Sequence, residues 1–154
     1  MSRANQFVQY FLSHRNVAIE LIGKIDQSHY DFKPTPTSMS AKQLASHILQ
    51  SFYQFANTAK SGDPAAFSRK LDVETADLNE LAEVYTKETV TLLESLTDDE
   101  FERIIDLTKI FGAKMSGAQL LQTAMDHEIH HKGQLFVYVR EMGHTDLPLF
   151  VKRG

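Results

Sequence analysis

The sequence predicts an all-α protein, a four-helix bundle with long crossover connections, and three observations carry that expectation. Apolar residues recur at three-and-four spacing in separate stretches, two stretches open on a Ser followed three residues later by Gln, and proline- or turn-rich segments divide them. A chain of 154 residues buries about two-thirds of its unfolded surface in one core. One domain over residues 1–154 is therefore expected. An apolar fraction of 42% with ten Phe excludes disorder as the default.

The first helix is marked by Phe7, Tyr10, Phe11, His14, Val17, Ala18, Leu21, Ile22 and Ile25, and it ends between Asp26 and His29. Pro34 and Pro36 then disfavour helical geometry at the residues before them. Ser40 and Gln43 form a capping box for the second helix, which carries Leu44, His47, Ile48, Ser51, Phe52 and Phe55 on one face. Residues 61–76 read as a linker with room for a short helical turn. A third helix starts at Thr75 or Asp77, carries Leu78, Leu81, Ala82, Tyr85, Leu92 and Leu96, and stops in the turn-rich run from Thr97 to Glu100.

Between Phe101 and Met115 no clean period appears, so an irregular or partly extended crossing segment is expected there. Ser116 and Gln119 repeat the capping box, and the fourth helix runs to about Met142, where Gly143 offers a left-handed stop. Two connections are about 15 to 20 residues long, enough to return along a helix.

Composition narrows the chemistry. A net charge of −4 with scattered Lys and Arg leaves no extended basic surface for nucleic acid. No apolar run approaches the roughly 18 residues of a membrane span, and the N-terminal stretch lacks a signal-peptide core. With no Cys in the chain, disulfides, thiolate ligands and a Cys nucleophile are excluded, and a cytoplasmic location is expected. Any transition-metal site must be built from imidazole and carboxylate.

At 100° per residue, Leu120, Ala124, His127, His131, Gln134 and Tyr138 share a narrow stripe of the fourth helix. His127 and His131 stand one turn apart on it, close enough to meet one ion, and His47 lies among apolar positions of the second helix, able to face them. The plain alternative is three hydrogen-bonded core histidines. His130 sits about 60° from His127 and either replaces a ligand or borders the site. Asp126 and Glu128 either accept a hydrogen bond from a ligating ring or are solvated. His14, on an apolar face, reads as a core histidine, and His29 and His144 fall in loops. Met125, Ile129 and Phe136 make a second apolar side of this helix, to be covered by residues 101–115 or by a second subunit in a homodimer.

From His127 to Gly143, with His130, His131, Lys132, Gly133 and Gln134 in succession, the sequence resembles the DinB/YfiT-like family of bacterial metal-binding bundles. The run from Lys33 and Pro34 through Ser38, Met39 and Ser40 to Leu44 and His47 is similar to that family's entry into its second helix. The resemblance implies His47, His127 and His131 as metal ligands, an up-down-down-up course and homodimers. It also implies low-molecular-weight thiols as partners, since some relatives use them in transfer or isomerisation.

The functional expectation is an open three-His site for a divalent transition metal, zinc or nickel ahead of iron or manganese, in an enzyme acting on a small molecule as a thiol-dependent transferase or a hydrolase. The general base is not legible; Glu128, His130, His14 and Tyr138 are the candidates near the ion. The competing expectation is a non-catalytic metal-binding dimeric scaffold or stress-response binding protein, with the ion tying the second and fourth helices together.

Overall fold

In the computed structural model, which describes residues 1–153, Ser2 accepts a hydrogen bond from the Asn5 backbone and starts α1 (Arg3–Ile22) a turn earlier than the apolar spacing alone marks. The Ser40/Gln43 capping box starts α2 (Ala41–Ser61), and Gly62 closes it in the left-handed region at φ +72°. A 3₁₀ turn, Pro64–Ser68, occupies the expected linker. Asp77 caps α3 (Leu78–Glu94) by accepting from the Asn79 N–H.

The run from Thr97 is not merely a turn. Thr97 and Glu100 form a third capping box that opens the short α4 (Asp98–Glu102). The aperiodic segment after it is a hairpin: β1 (Ile104–Leu107), one helical turn α5 (Thr108–Phe111), then β2 (Ala113–Ser116), antiparallel with Ile104 opposite Ser116 and Leu107 opposite Ala113. Ile105 and Leu107 bury while Ile104 and Asp106 face outward, a period of two that four residues were too few to reveal. The Ser116/Gln119 box then starts α6 (Gly117–Glu141).

Among the four long helices, α1 packs on α3 and α6, and α2 packs on the same two. Their directions follow from residue pairs. Met39, just before α2, accepts from the Tyr138 hydroxyl near the end of α6, while Phe55, late in α2, lies by His127, so these helices are antiparallel. Arg15 meets Glu128, and Phe7 shares a cleft with Ala118, so α1 and α6 are parallel. Tyr53 meets Tyr85 and Lys60 reaches the Ser95 carbonyl, so α2 and α3 are parallel too. No helix is long and apolar enough to cross a membrane among the described residues.

Two apolar clusters fill the interior. One joins Leu21, Leu44, Ile48, Tyr85 and Leu135; the other joins Phe11, Phe52, Leu93, Phe101, Leu107 and Leu121. Met125 lies wholly inside the second, with α1 and β1 residues, while Ile129 and Phe136 are partly buried against the two clusters. Within the chain, α1 and the hairpin cover Met125 fully and Ile129 and Phe136 in part.

Gly117 sets where α6 begins. A Cβ there would stand 2.2 Å from the Glu100 carbonyl oxygen, a backbone atom that cannot swing away. Gly117→Ala is accordingly expected to destabilise the fold by about 1–3 kcal/mol, the usual range for forced overpacking, read as a lower urea midpoint at unchanged slope.

Candidate metal centre

Three histidines converge where α2 crosses α6. His47 is held by the turns that bury Leu44 and Ile48, and His127 and His131 lie one turn apart on α6, whose neighbours Ala124, Glu128 and Leu135 are buried. The His47 and His127 Nε2 atoms are 3.0 Å apart, the three ring centroids lie 4.4 to 4.9 Å from one another, and one donor nitrogen from each ring falls within a 4.8 Å spread. His131 is buried and the other two are half-buried.

Two of the remaining ring nitrogens are occupied in a way that aims the site. His131 Nδ1 pairs with Gln134 Oε1 at 2.7 Å, and His47 Nδ1 with Ser51 Oγ at 3.2 Å. Each partner is on the same helix as its histidine, three or four residues on, so helical geometry itself fixes the ring orientation and leaves Nε2 toward the centre. Gln134 and Ser51 already lay on the inward stripes of the sequence; their role becomes visible only with the rings in place.

Burial holds all three imidazoles below their ordinary range, with neighbouring imidazoles adding to the effect. His127 is lowered most, to about 4, by desolvation and then by His131, His47 and His130. Desolvation and His131 lower His47; for His131 desolvation outweighs the Gln134 hydrogen bond, which acts the other way. At neutral pH the rings are uncharged, the form that ligates a cation. Three uncharged nitrogen donors around one small volume fit a divalent transition ion by their chemistry.

A cavity of about 370 Å³ adjoins the cluster, lined by His47, His127, Gln50, Ser51, Gln54, Phe55, Phe67, Lys70, Ile110 and Phe111. The other titratable candidates lie elsewhere. Glu128 is buried and accepts two 2.8 Å hydrogen bonds from Arg15, neither solvated nor bonded to a cluster histidine. His14 is buried as expected, with its Nδ1 2.7 Å from Lys132 Nζ, and Lys132 also bonds the Phe150 carbonyl. The Tyr138 hydroxyl donates to Met39 O. His130 is exposed with its ring 4.8 Å from that of His131, bordering the cluster without joining it, and Asp126 is exposed. His29 pairs with Asp26, and His144 lies beyond the end of α6.

Arg15 and Lys132 are the residues that reading the sequence missed. Both are charged side chains on helices, where the ordinary expectation is a solvated face; the one available sign was that Arg15 directly follows an inward His14 and Lys132 an inward His131.

Comparison with known proteins agrees with this architecture. The model of the DinB family matches residues 1–153. The uncharacterized protein YjoA of Bacillus subtilis (strain 168) is 56% identical over 153 residues, covering 99% of each chain. The crystal structure of that DinB-like protein superposes with a TM-score of 0.90 at 55% identity, over 96% of this chain and 99% of the other. A DinB-like protein from Bacillus cereus ATCC 10987 shares the fold, with a TM-score of 0.67 at 23% identity over 92% and 93% of the two chains. With the family pattern spanning the whole described chain and a close relative of nearly identical length, the protein belongs to the DinB family.

Proposed function

We propose that the chain is an up-down-down-up four-helix bundle that holds one divalent transition ion, zinc or nickel ahead of iron or manganese, with His47, His127 and His131, and that it is a metal-dependent enzyme acting on a small molecule. The observation that carries the reading is the opening of the three-imidazole cluster onto a cavity that His47 and His127 themselves line. When bound, such an ion supplies Lewis acidity and lowers the pKa of an exchangeable fourth ligand, water or a low-molecular-weight thiol. Hydrolysis and thiol transfer are the two reaction classes this chemistry serves.

The side chains around the cluster bind and orient. Glu128 and His14 are committed to buried partners away from the cavity, and Gln50, Ser51 and Gln54 are its neutral polar wall. Ser51 and Gln134 keep two rings turned inward, and Phe55 and Phe67 exclude water from one side. A purely structural ion is the weaker reading, because α2 and α6 are already joined by Leu44, Ile48, Phe52, Leu121 and Leu135 in the two apolar clusters.

Cobalt substitution tests the open position. Thiol or azide added to the cobalt-loaded protein is expected to change the visible spectrum, a thiol by adding a sulfur-to-metal band, and His131→Ala is expected to lose that response together with the metal. A cobalt spectrum indifferent to saturating thiol and azide would mean a closed site and return the function to a metal-stabilised scaffold.

A further inference from the structure

We propose that the cavity beside the three histidines selects an aromatic anion, a flat ring carrying the anionic donor that meets the ion; the inference rests on the metal reading above. Three phenylalanines from three separate elements close around it. Phe55 comes from α2, Phe67 from the 3₁₀ turn and Phe111 from α5, with centroids 5.0 Å apart for Phe55 and Phe67, 5.6 Å for Phe67 and Phe111, and 5.8 Å for Phe55 and Phe111. The Phe55 ring also lies 5.9 Å from that of His127, so the aromatic wall runs directly to the ligand cluster.

These rings are not spent on the core alone. Phe55 is buried, but Phe111 keeps 38% of its surface exposed and its neighbour Ile110 keeps 42%, both on the cavity wall. A volume of about 370 Å³ lies within the range of small-molecule sites, and edge and face positions on three rings suit a fourth ring. The charge balance sets the sign of the ligand: the lining holds Lys70 and no carboxylate, and three neutral imidazoles leave an ion's two positive charges uncompensated.

Two hydroxamates that offer the same donor on different bodies separate ring from donor. Cobalt-loaded full-length protein is titrated with benzohydroxamate and acetohydroxamate by visible absorption, with benzamide as a competitor of like ring and no anionic donor. Benzohydroxamate is expected to bind at least about tenfold more tightly than acetohydroxamate, as burial of a phenyl ring provides, and benzamide not to displace it. Phe111→Ala and Phe67→Ala, neither at a histidine of the cluster, are each expected to bring the two affinities within about threefold while cobalt content and the far-UV circular dichroism stay unchanged. Equal affinities in the wild-type protein, a preference that survives both substitutions, or silence toward both hydroxamates while thiol and azide still change the cobalt spectrum would overturn the aromatic assignment alone; silence toward all four would mean a closed site and overturn the open-site reading with it. A wild-type chain that retains no cobalt would overturn the metal reading and this inference with it.

Discussion

His47→Ala, His127→Ala and His131→Ala are each expected to reduce bound metal from about one equivalent per chain to a trace, because two imidazoles alone make a weak site on a surface that offers no carboxylate to replace the third. His29→Ala and His144→Ala are expected to leave it unchanged, since neither belongs to the cluster. Elemental analysis of the five purified variants measures this. Gln134→Ala and Ser51→Ala should fall between the two groups, about 10–100-fold weaker in affinity, as loss of an orienting partner usually costs. Full metal content in any of the three ligand variants would remove that residue from the set.

The second large effect lies away from the site. Arg15 is fully buried and Glu128 nearly so, joined by two hydrogen bonds of 2.8 Å, with Arg15 also donating to Thr86 and stacked 4.7 Å over the Phe11 ring. Removing one partner strands a charge in an apolar interior, so Glu128→Leu or Arg15→Met is expected to destabilise the fold by about 3–5 kcal/mol. The double substitution should recover much of that loss, because an apolar pair of similar volume carries no desolvation penalty. Urea denaturation of the two single variants and the double variant completes the cycle. A double variant as unstable as the sum of the singles would mean that the pair contributes packing and not charge compensation.

What could be read from the sequence, and what could not, divides along range of interaction. Capping boxes at Ser40 and Ser116 and the stripe through His127, His131 and Gln134 are local facts of a helix, legible from spacing alone. The hairpin at 104–116 escaped because two four-residue strands present too few alternations to distinguish from noise, and Thr97 concealed a capping box inside what looked like a turn. The pairing of Arg15 with Glu128 spans 113 positions, and no local pattern marks it. The far wall of the cavity likewise rests on Phe67, Ile110 and Phe111, whose placement depends on how two connections fold back over α2.

That long span has a consequence in time. At a synthesis rate of about 5–20 residues per second, roughly 6 to 23 seconds separate the appearance of Arg15 from that of Glu128 on the ribosome, and the interval from His47 to His127 is somewhat shorter. Throughout it α1 and α2 have no α6 to cover them, and Arg15 and His47 both lack the partners they meet in the folded chain. The Arg15–Glu128 pair and the three-imidazole cluster both require the last helix, so neither can form until the chain has been made past His131.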